Sequence, residues 1–174
     1  MDTLRYPIGR FEEKTQVTSE DIGSWIRQIA DAPEELREAV KGLTTDQMNL
    51  PYRPDGWRLR EVVHHLADAH MNAYIRFKLA LTETNPVIKP FQENLWVLLS
   101  DYDKVPAETS LTLLDALHAR WAALLQSMEL TDFNRTFVHP ETGQAPLART
   151  LQLYAWHGRH HIAHITSFRE RMGW

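Results

Sequence analysis

Four histidines lie within eight residues of an apolar and aromatic run, LYAWHGRHHIAHI, at residues 153–165. Packing alone gives a helix no reason to hold so many imidazoles. His157 and His161 are four residues apart, so on a helix they lie on one face, one turn apart. Two imidazoles at this spacing can offer their nitrogens to one divalent ion, which makes the pair a moderately specific signal for a metal site.

An apolar stripe marks the inward face of this segment. His157, His161 and His164 lie within the stripe, whereas His160 lies toward its edge. The stripe consists of Leu147, Thr150, Leu153, Tyr154, Ile165, Phe168 and Met172. A buried imidazole without a hydrogen-bond partner lowers the stability of the folded protein by about 1–3 kcal/mol. One such histidine is usually a satisfied core residue, but for the pair on the inward stripe we favour a metal ion over hydrogen bonds alone.

A third ligand is expected from another helix across the core. The segment VVHHLADAHM, residues 62–71, offers three candidates. His70 lies on the apolar stripe of its helix and His65 on the flank of that stripe, so periodicity slightly favours His70 over His65. His64 points away from the stripe and is predicted to be solvated or at a subunit contact. His118, on a further inward stripe, is another candidate ligand or outer donor.

Four long amphipathic segments must position these side chains. N-cap residues and apolar spacings of three and four predict helices that begin at Ser19, about Arg58, Thr109 and Pro146. Pro33 is expected to kink or restart the first of them. The resulting architecture is all-α, an antiparallel four-helix bundle with an extended N-terminal arm at about residues 1–18. The length favours a single domain over residues 1–174.

Two connections between these helices carry little periodicity. FQENLWVLLSDY, residues 91–102, is predicted to be a brief helix or an ordered loop. Residues 133–147 are predicted to be irregular, with a little extended structure around Gly143.

Composition excludes several classes of protein. The formal charge of −4 and the pI of about 6.1, without a dense Lys/Arg patch, argue against a nucleic-acid or anionic-membrane partner. No segment reaches the roughly 18 uninterrupted apolar residues that a membrane-spanning helix needs. The sequence has no cysteine, and its first residues, MDTLRYPIGRFEEK, lack the apolar run of a signal peptide, so we expect a cytoplasmic protein.

Several longer motifs together resemble the YfiT branch of the DinB-like superfamily, metal-dependent hydrolases that include bacillithiol transferases. These motifs are YPIGRF, PYRPDGWRLREVVHHLADAHMNAYIRFKLAL, LHARW and LYAWHGRHHIAHITSFRERMGW. The resemblance runs from near Tyr6 to Trp174. It implies a four-helix bundle, commonly a homodimer, that holds one divalent ion per subunit, zinc or nickel, through three histidines.

The resemblance also implies which histidines are the ligands. They would be His65, the latter histidine of HHLAD, together with His157 and His161 of the WHGRHHIAH run. The last two agree with the helical counting. His65 replaces His70, which periodicity preferred, and a modest rotation of the helix would reconcile the two.

A divalent ion held by three neutral imidazoles allows two kinds of chemistry on a small-molecule substrate. In tetrahedral geometry one position stays open, and a water there has a pKa lowered toward neutrality, which is the hydrolase interpretation. A low-molecular-weight thiol held there as thiolate would attack an electrophile, which is the transferase interpretation. Because the chain lacks cysteine, that thiol would be a co-substrate.

Two interpretations without catalysis stay open. An ion that only fastens helices together predicts a fourth protein ligand, such as His70, His118 or His164. A metal-free histidine network could instead serve as an interaction module.

Other side chains could assist a reaction. Asp68, three residues after His65, could orient an imidazole or take a proton, or it could be an exposed carboxylate. Four arginines could bind an anionic substrate: Arg60, Arg76, Arg120 and Arg159. Three aromatic residues could line the pocket: Trp57, Tyr154 and Trp156.

Overall fold

The computed structural model describes residues 2–174, which form four long helices joined by short helices and a hairpin. In chain order the helices are α1 (Asp2–Arg5), α2 (Ser19–Val40), α3 (Thr45–Met48), α4 (Leu59–Thr82), α5 (Glu93–Trp96), α6 (Ser100–Lys104), α7 (Ala107–Gln126) and α8 (Leu147–Met172). The long helices are α2, α4, α7 and α8. The predicted four-helix bundle is confirmed.

Polar contacts between the long helices show how they run relative to one another. Arg37, late in α2, donates to Glu108 at the start of α7 at 2.7 Å. Arg76, late in α4, donates to the Tyr154 hydroxyl early in α8 at 3.3 Å. Both of these neighbouring pairs are therefore antiparallel.

The other two neighbouring pairs are parallel, so the predicted antiparallel arrangement is wrong for these two pairs although the four-helix bundle is confirmed. Arg169, late in α8, donates to the carbonyl of Ala39 at the end of α2 at 2.8 Å. His64, early in α4, lies 2.7 Å from Ser110 early in α7. A parallel pair needs a connection that returns along the bundle. Residues 83–106, which include α5 and α6, make that return and cover one side of α4.

Helix α2 begins at the predicted residue but does not break at Pro33. Thr18 and Asp21 form a capping box, because the Thr18 side chain accepts from the Asp21 amide and the Asp21 side chain from the Thr18 amide. The helix then continues unbroken to Val40, so a restart at Pro33 is wrong, whereas a bend of the single helix at Pro33 stays a prediction. A proline removes the hydrogen bond to the carbonyl four residues earlier, here Ile29. His118 supplies a donor to that carbonyl instead.

The connections hold more structure than the sequence predicted. The α4–α7 connection contains two short helices, in place of a brief helix or ordered loop. Between α7 and α8, a 3₁₀ helix (Leu130–Asn134) leads into an antiparallel hairpin of β1 (Thr136–His139) and β2 (Gly143–Pro146). Gly143 opens the second strand with a φ of 84°, which favours glycine.

The N-terminal arm lies against α8, and its residues 2–5 are helical instead of extended as predicted. The Gln152 side chain accepts from the Lys14 amide and donates to the Glu12 carbonyl, both at 3.2 Å. Nearer the start of the arm, the His164 ring contacts the Arg5 carbonyl. The arm therefore covers the part of α8 that carries His160 and His164.

Two apolar clusters form the core, and the histidines lie between them. On α4, one cluster takes Leu59 to Ala67 and the other Ala69 to Ala80; on α8, they divide at Tyr154 and Ile162. His157 and His161 occupy the interval on α8. Among residues 2–174, no helix combines the length and the apolar character that crossing a membrane requires.

Candidate metal centre

His65, His157 and His161 converge on one point between α4 and α8. One potential ligand atom from each ring lies within 4.8 Å of the other two. Their ring centroids are 4.5 Å apart for His157 and His161, 4.7 Å for His65 and His161, and 5.3 Å for His65 and His157. The structure thus brings together the three histidines that the family resemblance implied.

Burial keeps all three rings neutral at physiological pH. It lowers the pKa of His65 to about 4. It also lowers the pKa of His157 and His161 well below the ordinary value of 6.5, and neighbouring imidazoles add to the shift. A metal ligand must offer a lone pair, so neutral imidazoles are the form that binds an ion.

The distances and the type of ligand atom fit a small divalent ion. His65 Nε2 and His157 Nε2 are 3.3 Å apart. Two nitrogens bound at about 2.0–2.1 Å to one tetrahedral ion lie about 3.3–3.4 Å from each other. On His65, the opposite nitrogen, Nδ1, is buried and has no hydrogen-bond partner among the described residues, and the same holds for His161 Nδ1. A set of three nitrogens suits zinc or nickel better than magnesium or calcium, which prefer oxygen.

Two further histidines lie behind the cluster, away from its point of convergence. His70 Nε2 is 3.2 Å from His157 Nδ1, and His70 Nδ1 is 2.8 Å from His118 Nε2. The structure therefore brings His65 rather than His70 to the cluster, in contrast to the preference drawn from periodicity. His70 therefore contacts the candidate ligand His157 at His157 Nδ1, the nitrogen that faces away from the cluster.

A cavity of about 490 Å³ opens beside the three imidazoles. Its wall contains Trp57 and Tyr154, as predicted from the sequence, whereas Trp156 stacks on His160 with ring centroids 4.4 Å apart. The Trp57 ring lies 4.6 Å from that of His65 and stacks on that of His161 at 6.3 Å. The cavity is large enough for a small molecule to reach the cluster.

The environment of His64 differs from the prediction. His64 is 5% exposed instead of solvated, because α6 and the first turns of α7 cover this face. Its Nδ1 lies 2.7 Å from Ser110 Oγ, and its ring packs against Tyr102. The Tyr102 hydroxyl also donates to Asp68 at 2.6 Å, and burial raises the pKa of that carboxyl. Asp68 is therefore not an exposed carboxylate, and it does not line the cavity.

Comparisons with known proteins identify the family of this chain. A model of the DinB superfamily matches residues 28–165. This chain belongs to the DinB superfamily. Proteins of Bacillus cereus and of Bacillus thuringiensis subsp. konkukian, both provisionally named metal-dependent hydrolases, are each 56% identical to it over the full length of both chains.

A solved structure extends the comparison to the fold. YfiT from Bacillus subtilis, described as a probable metal-dependent hydrolase with an unusual four-helix bundle topology, superposes with a TM-score of 0.96 at 46% identity over 99% of each chain. The resemblance to the YfiT branch is confirmed. The mixture of parallel and antiparallel neighbours gives this DinB protein a bundle with a long crossover connection.

Sequence reasoning missed several cavity residues of this DinB protein. Arg5, Arg53, Asp55 and Glu93 line the cavity, whereas none of the four arginines proposed from the helices does. The arm, the loop at residues 50–58 and α5 supply them, and these segments have no periodicity that could place a side chain. Arg60 instead donates to the carbonyls of residues 103 and 105.

Proposed function

We propose that this chain is a metal-dependent hydrolase in which His65, His157 and His161 hold one divalent ion, zinc or nickel. The observation that carries the proposal is the convergence of three neutral imidazoles within 4.8 Å beside a cavity of about 490 Å³. The provisional names of the Bacillus relatives support the same reaction class. The substrate would be a small molecule.

When bound, the ion would supply a Lewis acid and would lower the pKa of a bound water toward neutrality. The side chains around it have separate tasks. Trp57, packed against the His65 ring and stacked on that of His161, restricts their rotation and excludes water from that side. Rigid ligands keep the three nitrogens directed at one point without reorganisation.

Tyr154 is placed to donate a hydrogen bond into the cavity. Its hydroxyl oxygen accepts from Arg76 Nη1 at 3.3 Å, which leaves the O–H of Tyr154 free to donate. Burial raises the pKa of Tyr154, so the phenol stays protonated at neutral pH. A phenol in this position would stabilise negative charge that develops on a substrate oxygen.

Two carboxylates of the cavity wall are the candidates for proton transfer. Asp55 and Glu93 line the cavity, and neither was predicted from the sequence. Replacing each with its amide, Asp55→Asn and Glu93→Gln, preserves shape and removes the proton-accepting oxygen. We expect one of the two variants to lose kcat while it keeps its metal, as measured by rates and by metal analysis of the same sample.

The alternative of an ion that only fastens helices needs a fourth protein ligand. Both ring nitrogens of His70 and of His118 already have partners. The Nε2 of His164 contacts the Arg5 carbonyl, and its Nδ1 has no hydrogen-bond partner among the described residues. The ligand atoms that lie within 4.8 Å of one another nevertheless come from His65, His157 and His161 and not from His164. These observations favour a position left open toward the cavity.

The deciding experiment assays metal-loaded protein against a panel of esters and amides, with chelator-treated protein as the control. Metal-dependent hydrolysis supports the proposal. A chelator that lowers the melting temperature while no substrate in the panel turns over would reject catalysis and favour a structural ion.

Thiol transfer is the second candidate, because the same neutral ligands would hold a thiolate and the chain has no cysteine of its own. A parallel assay with a low-molecular-weight thiol and an electrophile separates the two reactions. The homodimer and the single domain are also predictions, which light scattering and limited proteolysis would measure.

A further inference from the structure

A chain of three imidazoles connects the metal cluster to the backbone of α2. Starting from α2, the Ile29 carbonyl contacts His118 Nδ1 at 2.5 Å, and His118 Nε2 lies 2.8 Å from His70 Nδ1. His70 Nε2 then lies 3.2 Å from His157 Nδ1. Beyond His157, its Nε2 faces the Nε2 of His65. The inner rings, His70 and His118, are 1% and 2% exposed.

The carbonyl at one end determines where every proton in this chain lies. A carbonyl oxygen only accepts, so His118 Nδ1 must carry a proton, and the Nε2 of the neutral ring is an acceptor. His70 must then donate from Nδ1 and accept at Nε2. By the same argument His157 donates from Nδ1, which leaves a lone pair on the Nε2 that faces the cluster. All three rings therefore share one tautomer.

Pro33 explains why the anchoring carbonyl is available. In a regular helix the Ile29 carbonyl would accept from the amide of residue 33, and proline has no such amide. The bond from His118 replaces the missing one. The interior proline, which the sequence predicted would kink or restart α2, leaves the Ile29 carbonyl free to accept from a side chain of α7.

We propose that His70 and His118, anchored on the carbonyl that Pro33 leaves free, are positioning residues that hold His157 with its Nε2 lone pair directed at the ion. The inference rests on the proposed metal site. The inference goes beyond that site because it assigns a role to His70 and His118, which are not among the proposed ligands. The chain ends at a buried carbonyl, so it cannot carry protons to solvent. Its task is orientation, as in other sites where a ligand imidazole donates its second N–H to an outer partner.

The first test needs no metal. Long-range ¹H–¹⁵N spectra of histidine-labelled, metal-free protein distinguish a protonated ring nitrogen from an unprotonated one. His70, His118 and His157 are each expected to carry the proton on Nδ1, with assignment by single substitutions. An Nε2–H tautomer at any of the three rings would overturn the chain.

The second test measures zinc affinity by competition with a chelator at pH 7.5. His118→Phe removes the donor and the acceptor, and we expect about 10–100-fold weaker zinc binding, the usual cost of losing an outer partner. In His118→Gln the amide can donate to Ile29 and accept from His70, so it should restore most of the affinity. His64→Phe is the matched control, since it removes another buried histidine from outside the chain and should leave zinc affinity unchanged.

Each outcome of the zinc titration separates this inference from the proposed function. Wild-type protein that fails to bind zinc or nickel rejects the metal site itself. Wild-type protein that binds, together with a His118→Phe variant that binds equally well, rejects the positioning role alone. If His118→Phe does not fold, Pro33→Ala takes its place, because the restored amide competes for the Ile29 carbonyl. We then expect a shifted His118 Nδ1 resonance and weaker zinc binding, and unchanged values would overturn the inference.

Discussion

Acidification should destabilise the metal-free protein at a pH where most proteins of this size are still stable. The folded state holds His65, His70 and His161 neutral, because burial lowers the pKa of His65 to about 4 and that of the other two well below 6.5. In the unfolded chain the same side chains take up protons near pH 6.5. The unfolded state therefore binds more protons below that pH, and stability is lost as the pH falls.

The size of the effect follows from the number of buried rings. For one histidine that stays neutral when folded, lowering the pH from 7.5 to 5.5 removes about 1.4 kcal/mol from the free energy of unfolding. His65, His70 and His161 are each less than 9% exposed, and these three alone contribute about 4 kcal/mol. Burial also lowers the pKa values of five other histidines, which add to the loss: His64, His118, His157, His160 and His164. Asp68 opposes this loss, because burial raises the pKa of its carboxyl. A total stability of about 5–15 kcal/mol makes such a loss easy to measure.

Urea unfolding at pH 7.5 and 5.5, with chelator present, measures this difference. The variant His70→Gln should reduce the pH-dependent loss by about 1.4 kcal/mol, one histidine's share. His139 lies at the end of β1, away from the buried histidines of α4, α7 and α8, and provides the control. His139→Gln should leave the pH-dependent loss of stability unchanged. Equal stability at the two pH values in the wild-type protein would refute the neutral buried rings.

Three further predictions concern single side chains. His161→Ala should abolish metal occupancy at neutral pH while His64→Ala retains it, as measured by mass spectrometry of metals; equal occupancy would reject the ligand assignment. Tyr154→Phe removes the proposed donor but no ligand, so kcat should fall about 100-fold with metal content unchanged, and an unchanged kcat would remove Tyr154 from the mechanism. Gly158→Ala should raise stability by about 1 kcal/mol in urea, because a Cβ there would meet His70 Cε1 at 3.5 Å and Ala32 Cβ at 3.6 Å, ordinary contact distances; a loss of stability would show that the space is too small.

The features that depend on helical periodicity could be predicted from the sequence. The four long helices and the pairing of His157 with His161 follow from spacings of three and four residues, which burial on one face enforces. The choice between His65 and His70 does not follow from spacing, because both rings are buried at opposite sides of His157. Only the family resemblance placed His65 among the ligands.

Features that depend on long-range packing could not be predicted. His64 is covered by α6 and α7, elements that periodicity on α4 alone does not position. The cavity residues Arg53, Asp55 and Glu93 come from a loop and from a helix of four residues. The restart predicted at Pro33 was wrong because the usual cost of an interior proline was counted without the donor that replaces its missing amide.

The buried histidines between the two core clusters are unfavourable for folding by themselves. Their unfavourable features are concentrated around His157, one of the proposed ligands. An interior proline, two buried imidazoles and unpartnered ring nitrogens on His65 and His161 all lie within the same stretch of the bundle. Apolar side chains there would join the two core clusters and avoid these costs. Local departures from good packing are expected at functional sites. Here hydrogen bonds lead from the Ile29 carbonyl, which Pro33 leaves free, through His118 and His70 to His157 Nδ1. In the proposed metal site, the backbone bond that α2 loses would therefore support the orientation of a ligand.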